Sequence, residues 1–585
     1  MREILLNRKN NYTVLLIIFV LGIVHWVLFM SYGNPSYNSF DWRTSHQLYA
    51  VIKESIEIFK IPYYVTLYGS DTLTESVRDI KFLSWADIKS VSPQLLLMKF
   101  MSVPSFIIFN SLLFFSVGYW AVVKWIKELK LSNTAAAYLT IMWCFNGYLT
   151  SKMGIGWLGT NFGYFIIPNF LWIVYKFINK DKYTARENII LILEFAFLMF
   201  FTILNGSGKC LYQFGLVSLL VMIWYPRRLP TYFMSMFITF ILASFWFWPG
   251  MLFSEYSGMS REVWAGYGFG WREWQPSLYL DGGPISFVIN TLLNIFQHLW
   301  TSATVIYSAG FEGQWEFNIY VGYLGISLLI ATLFLFIREH RTIIAVKKNK
   351  SVYISLLLSI SFILSLSIIS VLYHKLPRFT SLGLVIVFII GIILIYYYIK
   401  TQNEFQETSN RMILIIIPLL LVSFLSIYTF KAYIFKFLQV LYYFPAFDRT
   451  PGKLFGYVLY TLILLSATQF DRLFSSFPKK FVLPFKWFII IILFSNLMLN
   501  SFKWSVYNTE SHFNPIETWN KLGSNYPHNW QDPRGVYDVK IYDMQEDNNY
   551  KQIVNTSYLV SGIAFIVTFI LYLFARYRPK LIKLE

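Results

Sequence analysis

Charged residues are scarce in this chain of 585 residues: Asp, Glu, Lys and Arg make up 14% of it, against 56% hydrophobic residues. Together with a mean hydropathy of +0.50, this excludes an ordinary soluble domain. Apolar runs of about 20 residues, the length that a helix needs to cross a bilayer, recur from end to end. They lack the alternation that barrel strands show. The sequence therefore predicts an all-α polytopic membrane protein.

Cysteine is nearly absent, since Cys144 and Cys210 are the only two, and this excludes a disulfide framework. We expect both to be buried free thiols. The chain also lacks a Walker-type phosphate loop, an HExxH motif, paired CxxC motifs and a Rossmann glycine pattern. These absences argue against an ATP-driven pump and against a zinc enzyme.

The apolar runs predict fourteen membrane spans. They lie at about 12–31, 104–123, 132–151, 162–177, 188–204, 211–225, 231–250, 319–337, 351–371, 380–399, 412–429, 454–470, 487–500 and 556–575. If the basic N-terminus is cytoplasmic, the termini and the loops on its side hold 27 of the 49 Lys and Arg residues but only 9 of the 31 acids. The whole excess of positive charge then lies on the cytoplasmic side, as the positive-inside rule predicts. The net charge of +18 therefore indicates topology and contact with membrane lipids, not nucleic-acid binding.

Three connections are long, and all three fall on the extracytoplasmic side of this topology: 32–103, 251–318 and 501–555. We divide the chain into a module at 1–470, which carries the first two, and a C-terminal hairpin at 471–585, which carries the third. In the first connection, Trp42–Lys60 has the apolar spacing of an amphipathic helix that lies along the outer interface. Long loops on a rigid scaffold are where binding and chemistry usually occur.

Asp41 follows the first span by about ten residues, beside Arg43 and His46. A carboxylate at the interface, near a substrate carried by a lipid, suits a general base that acts on an acceptor hydroxyl. An equally good interpretation is that Asp41 caps the helix that begins there. Asp71 and Glu54, in the same loop, are the alternative candidates for the base. We count Arg43, His46 and Asp71 as candidate substrate-binding residues.

Cations at two other outer positions are candidates for binding a phosphate. Arg449 and Lys453 lie just before the twelfth span, and His374 and Arg378 lie in the short turn after the ninth. Arg can offer paired donors to a phosphate and Lys a point charge. A turn in which Arg449 pairs with Asp448, or interfacial anchoring of these side chains, explains the same residues.

Two glycine-rich segments follow outer span ends, at 154–161 with Trp157 and at 205–209. Glycine lets the backbone approach a ligand, and we count Trp157 as a candidate substrate-binding residue. A tight reversal between two helices is the simpler explanation of these glycines. Glu194, a carboxylate within the fifth span, is a further functional candidate, or it pairs with a buried polar group or stays protonated.

Several short motifs resemble the GT-C superfamily of polyprenyl-phosphate-sugar glycosyltransferases, in particular its bacterial YfhO-like branch. They are Asp41-Trp42, Ile61-Pro62-Tyr63-Tyr64, Tyr68-Gly69, Ser92-Pro93-Gln94, Glu316 with Tyr320-Val321-Gly322, and Phe447 with Arg449-Thr450-Pro451-Gly452-Lys453. The resemblance implies an inverting transfer of a sugar from a polyprenyl phosphate to a glycan, lipid or protein acceptor, outside the cytoplasmic membrane. Asp41 matches the first-loop catalytic acid of the family.

The chain departs from the family pattern at 151–161, where many members carry a second acidic pair and this sequence has no acid. That departure puts a divalent metal in doubt and favours a metal-free mechanism, in which cations stabilise the departing phosphate. Two other functions stay open: a transporter or flippase of lipid-linked saccharides, and a non-catalytic subunit that kept the fold. A transporter predicts internal repeats and broken helices near the midplane, and neither is evident in the sequence.

Overall fold

The computed structural model describes residues 2–32, 40–67, 78–84, 92–154, 156, 158–180, 183–207, 225–253, 320–345, 455–509, 539–542 and 547–577, with isolated positions between 210 and 222. The helices of these residues are α1 (Arg2–Tyr32), α2 (Phe40–Glu57), α3 (Val103–Glu128), α4 (Asn133–Phe145), α5 (Gly147–Gly154), α6 (Leu158–Phe165), α7 (Ile167–Asn179), α8 (Ala185–Leu204), α9 (Leu229–Leu242), α10 (Ser244–Phe253), α11 (Gly322–Ala345), α12 (Phe455–Leu473), α13 (Lys479–Thr509) and α14 (Asn548–Tyr577). Short 3-10 helices occupy Phe82–Ser84, Pro93–Lys99 and Pro226–Arg228.

By length and composition, five of the described helices can cross a bilayer: Thr13–Met30 within α1, α3, α8, Lys479–Phe502 within α13, and α14. A sixth span is available if α9 and α10, which meet at an angle of 72°, count as one. These segments overlap predicted spans, so the prediction of a helical chain with apolar, membrane-spanning segments is confirmed, and the count of fourteen spans stays a prediction. The predicted spans at 351–371, 380–399 and 412–429 lie outside the described residues.

Contacts between helix termini define two ends of the bundle. We call the end where α1 and α10 finish and α3, α11 and α14 begin the loop end. The opposite end, where α3, α7 and α14 finish, is the basic end. Contacts across the bundle fit this arrangement: Phe253 at the end of α10 packs on Tyr550 at the start of α14, with ring centroids 5.0 Å apart.

The predicted span at 132–151 is not one helix, because it breaks at Asn146. The side chain of Asn146 donates to the carbonyl oxygens of Met142 (3.1 Å) and Trp143 (2.8 Å) at the end of α4. Its Oδ1 accepts from the backbone N–H of Leu149 (3.1 Å) at the start of α5. One side chain therefore satisfies backbone groups of two helix ends, which lowers the cost of the break inside a bilayer.

The predicted span at 162–177 is also interrupted, between α6 and α7. Pro168 stands at the start of α7 and has no N–H to donate, so a continuous helix would lose a hydrogen bond and clash with the turn before it. Trp125 Nε1 of α3 donates to the carbonyl oxygen of Pro168 at 3.0 Å. The neighbouring helix α3 therefore packs at the interruption and donates a hydrogen bond to its backbone.

The third break, between α9 and α10, lies within the predicted span at 231–250. The N–H of Phe245 donates to Ser561 Oγ of α14 at 3.0 Å. Ser244 Oγ lies 2.8 Å from the same oxygen and donates to the carbonyl oxygen of Ser557 at 2.9 Å. Ser561 of α14 therefore provides the N–H of Phe245 with an acceptor that a continuous helix would have supplied itself, and the Ser244 side chain adds two contacts between the helices.

A small antiparallel sheet, which the sequence did not predict, lies at the loop end. Its strands are β1 (Tyr64–Leu67), β2 (Arg78–Lys81) and β3 (Val539–Tyr542), with β1 in the centre. Tyr64 is opposite Lys81 of β2 and opposite Tyr542 of β3. The sheet therefore joins the first long connection to the last one, which belongs to the C-terminal hairpin. The domain boundary at residue 470 stays a prediction.

Candidate functional site

Asp41, Arg43 and His46 all lie in the first two turns of α2. Since α2 begins at Phe40, Asp41 is within the first turn, where the helix dipole favours a carboxylate. The other predicted site residues lie outside the described residues. They are Asp71, Trp157, His374, Arg378, Arg449 and Lys453.

Helix α2 has the amphipathic character that its sequence predicts. Leu48, Tyr49 and Ile52 are buried, and Glu57 and Lys53 form an ion pair of 3.4 Å on the other face. One turn after Asp41, Ser45 Oγ donates to the carbonyl oxygen of Gly156 at 2.9 Å. This buried hydrogen bond places the beginning of α2 beside the first glycine-rich segment.

In each glycine-rich segment, one glycine adopts the backbone conformation that a turn between helices needs. Gly156 has a φ of 78° and Gly206 a φ of 74°, in the left-handed region that favours glycine. At the end of α8, the N–H of Gly206 donates to Ile203 O (2.9 Å) and that of Ser207 donates to Thr202 O (3.1 Å). This is the Schellman pattern of a helix C-terminus. The simpler explanation of these two glycines is therefore the structural one.

A buried network of polar side chains connects the Ser92-Pro93-Gln94 motif to two helices. Gln94 Nε2 donates to Asn110 Oδ1 of α3 at 3.1 Å and to Asn205 Oδ1 after α8. Ser92 Oγ donates to the same Asn205 oxygen at 3.2 Å. Asn110 Nδ2 donates to the hydroxyl of Tyr49 at 3.3 Å, which extends the network into α2. The motif therefore fixes α2, α3 and the end of α8 to one another.

The Tyr320-Val321-Gly322 motif makes a similar junction before α11. The Tyr320 hydroxyl donates to Asn496 Oδ1 of α13 at 2.8 Å, and the Tyr320 carbonyl accepts from the N–H of Gly147 at 2.7 Å. Gly322 has a φ of 74°, and a Cβ at this position would lie 2.1 Å from Asn496 Oδ1. The motif therefore needs glycine for its backbone angle and for this close approach.

Lys81 of β2 holds the last helix to the sheet. Its ammonium group forms an ion pair with Asp547 and lies 4.6 Å from the ring centroid of Phe253. The hydrogen bond from Lys81 holds the pKa of Asp547 below its ordinary value. Lys81 belongs to the first long connection, Phe253 to the beginning of the second and Asp547 to the third, so described residues of all three meet at the loop end.

Glu194, a partly buried carboxylate, is paired in the structure, as one of its interpretations expects. Lys176 Nζ of α7 lies 2.7 Å from its Oε2, and Arg576 Nη1 of α14 lies 3.7 Å from its Oε1. The group is at the basic end, remote from the junctions described above. Glu194 therefore belongs to an ion-pair cluster and not to the loop-end site.

Sequence reasoning left Gln94, Asn110 and Asn205 out of the site, although Gln94 and Asn205 stood in segments that it singled out. Asn110 is an amide in the middle of an apolar run, and that was the available signal. Cys144 and Cys210 are buried thiols that form no disulfide, as predicted. Among the described side chains no three His, Cys, Asp or Glu residues are grouped as metal ligands are.

At the loop end the structure thus brings together the start of α2, the two glycine-rich turns and the Ser92–Gln94 and Tyr320–Gly322 motifs. Comparison with protein-family models, with curated proteins and with solved structures gave no match for this chain.

Proposed function

We propose that the chain is a glycosyltransferase of the GT-C type, which moves a sugar from a polyprenyl-phosphate donor to an acceptor hydroxyl. The observation that carries this proposal is the convergence at the loop end. Ser45 is bonded to Gly156, Gln94 to Asn205, and Gly147 to Tyr320, so segments that carry family-like motifs meet in one region. Asp41, one helical turn before Ser45, is part of the same region.

The proposal includes fourteen spans, both termini in the cytoplasm and a site on the outer face of the cytoplasmic membrane. Two arrangements support this topology. The sheet and the Lys81–Asp547 pair bring the long connections to one end of the bundle. Basic residues that the charge partition assigns to the cytoplasm, such as Lys176 and Arg576, meet at the opposite end.

In the proposed reaction Asp41 is the general base. The acceptor oxygen attacks the anomeric carbon, the bond from that carbon to the phosphate oxygen breaks, and its electron pair leaves with the polyprenyl phosphate. The acceptor proton passes to the carboxylate of Asp41. Attack from the side opposite the phosphate inverts the configuration at the anomeric carbon.

The remaining predicted residues bind the two substrates in this proposal. Arg449, with Lys453, His374 or Arg378, neutralises the charge that develops on the departing phosphate. Arg43, His46, Asp71 and Trp157 contact the sugar or the acceptor. The mechanism uses no metal ion.

The test compares Asp41→Asn with Glu57→Gln, which removes one carboxylate from the same helix at its exposed end. Purified protein is incubated with a panel of polyprenyl-phosphate monosaccharides and acceptor glycans, and release of polyprenyl phosphate is followed by mass spectrometry. Asp41→Asn should slow release by roughly 10²–10⁴-fold, the usual effect of losing a positioned base, and Glu57→Gln should leave it unchanged. Transfer at the parental rate by folded Asp41→Asn would move the base to Asp71 or Glu54.

The broken pair α9–α10 favours a second candidate, a transporter of lipid-linked saccharides, because such proteins bind substrate at interrupted helices. The structure corrects the expectation that no broken helix is present. At this break, however, Ser244 and the N–H of Phe245 are bonded to Ser561 and Ser557 and are not offered to a ligand. Movement of a labelled lipid-linked sugar across proteoliposomes, without its hydrolysis or transfer, would favour the transporter.

A further inference from the structure

Four helices bring a small set of charged side chains together at the basic end. Lys124 comes from α3, Lys176 from α7, Glu194 from α8 and Arg576 from α14. Lys176 and Arg576 lie on the two oxygens of Glu194, at 2.7 Å and 3.7 Å. Lys124 interacts electrostatically with the other three groups. We call this set the basic-end cluster.

The cluster contains three cations and one carboxylate, so it carries an excess of positive charge. Glu128, the nearest acid along α3, accepts a hydrogen bond from Tyr175 at 2.8 Å and is not among the groups that act on Lys124. Within the described part of the chain, the Lys124 ammonium contacts the Trp120 ring and has no carboxylate in ion-pair distance. Mutual repulsion of the cations is therefore only partly offset, and an added anion would be bound favourably.

The position of the cluster fits the level of lipid headgroups. Its cations lie near the last residues of α3, α7 and α14, at the edge of the candidate spans of α3 and α14, and Glu194 joins them from the middle of α8. Lys124 Nζ lies 3.3 Å from the ring centroid of Trp120, whose side chain is 60% exposed. Exposed Trp beside a cation is typical of the bilayer interface, where the aromatic ring is apolar and its surroundings are polar.

An apolar surface continues from the cluster toward the middle of the spans. Phe197 of α8 packs on Phe565 and Phe569 of α14, with ring centroids 5.9 Å and 6.4 Å apart. Phe569 and Leu573 are 43% and 38% exposed on the outside of the bundle. A molecule with an anionic head and an apolar tail could therefore bind with its head at the cluster and its tail along this apolar surface.

We propose that the basic-end cluster is a binding site for the phosphate of an anionic phospholipid in the adjacent leaflet. Lys124 and Arg576 hold the phosphate, Lys176 stays on Glu194, and the acyl chains lie along the phenylalanines of α8 and α14. The site is independent of the transfer reaction proposed for the loop end, because none of its residues lies near α2.

The variants are chosen to separate this site from general attraction of basic protein to acidic lipid. Lys124→Gln removes a cation without breaking an ion pair, and Lys124→Arg keeps the charge. Lys479→Gln is the matched control: Lys479 is exposed at the same end, on α13, which packs against α1, α4 and α5. Glu194→Gln removes the competing carboxylate.

Full-length protein in neutral detergent is titrated with dioleoyl phosphatidylglycerol or dioleoyl phosphatidylcholine, and retained lipid is counted by native mass spectrometry. We expect phosphatidylglycerol to be retained selectively, with affinity about fivefold lower in Lys124→Gln and in Arg576→Gln. Lys124→Arg and Lys479→Gln should bind as the parent does, and Glu194→Gln should bind more tightly.

Three results would overturn the site: equal retention of the two lipids by the parent, unchanged binding in Lys124→Gln, or the same loss in Lys479→Gln as in Lys124→Gln. Should Arg576→Gln fail to fold, Lys124→Gln and a salt titration of the parent decide the matter. Binding to an exposed ionic site weakens as salt rises, and retention that is independent of salt would contradict the proposal.

Discussion

Lys81 and Asp547 form an ion pair although 466 positions separate them in the chain. Lys81 lies at the end of β2 in the first long connection, and Asp547 directly precedes α14. The pair, together with strand β3, fixes the C-terminal part of the chain to the first connection. Lys81 is buried, whereas the side chain of Asp547 is 30% exposed, so solvent reaches the carboxylate of the pair.

Replacing Asp547 by Asn should destabilise the protein at neutral pH by about 1 kcal/mol or less, since the carboxylate is partly exposed. The pKa of Asp547 is lowered in the folded chain, so its stabilising effect is fully present above the unfolded carboxyl value, about 3.9. That effect is lost as pH falls through the lower folded pKa. Thermal unfolding of parent and Asp547→Asn in detergent should therefore converge as the pH is lowered toward 3.

A double-mutant cycle with Lys81→Gln separates the pair from its surroundings. If the double variant loses as much stability at pH 7 as the two single variants lose in sum, the residues do not interact. The expected pH dependence would then be wrong as well.

Gly322→Ala should be more harmful than Tyr320→Phe. Alanine at this position would have to adopt a strained φ of +74°, and its Cβ would stand 2.1 Å from Asn496 Oδ1, so we expect a loss of about 2–4 kcal/mol. Tyr320→Phe removes one hydrogen bond and should cost about 0.5–1.5 kcal/mol. Denaturant unfolding in mixed micelles measures both.

Gly562→Ala is the control for this comparison, because a Cβ at Gly562 meets nothing within 4 Å and the residue lies in the middle of α14. It should leave stability unchanged or raise it. A Gly322→Ala variant as stable as Gly562→Ala would show that the junction with Asn496 tolerates the extra atom.

The proposed topology predicts the labelling of single cysteines introduced at exposed lysines. Lys60→Cys, after α2, should react with a membrane-impermeant maleimide in intact cells, and Lys479→Cys should react only after permeabilisation. Cys144 and Cys210 are buried and should stay silent, so the native cysteines can be kept. Reaction of both positions in intact cells would refute the assignment of the two ends.

Arg449→Ala should weaken binding of the donor more than binding of the acceptor. Loss of a charge-assisted contact to phosphate costs roughly 1.5–3 kcal/mol, which is about tenfold to 150-fold in affinity. Binding of polyprenyl phosphate to purified protein measures the effect. Arg338→Ala removes an exposed arginine of α11 on the side away from the proposed site and serves as the control. Donor affinity equal in the parent and Arg449→Ala would move the phosphate site elsewhere.

Local signals account for the features that the sequence predicts correctly. The length of the apolar runs gives the helices their positions, because a span needs about 20 apolar residues whatever its neighbours are. The spacing of Leu48 and Ile52 gives α2 its buried face, and the glycines of the turns at Gly156 and Gly206 mark the chain reversals. Each of these features depends on residues close together in the sequence.

The helix breaks were predictable only in part. Pro168 and the Asn146-Gly147 pair are local signals of a break, but an apolar run of sufficient length conceals them when hydropathy is averaged. At the break beside Ser244, Ser561 supplies an acceptor to the backbone N–H of Phe245 although it lies more than 300 positions away in the chain. No local pattern contains that information.

The sequence by itself determined that this is a helical membrane protein, because hydropathy acts through composition and the length of apolar runs. Only the tertiary structure decided that β3 pairs with β1, that Gln94 bonds to Asn205, and that Glu194 is shared by Lys176 and Arg576. Polar groups in a bilayer must find partners inside the protein, and many side chains of the right chemistry are available. Which of them meet is set by how the helices pack, and that depends on the whole chain.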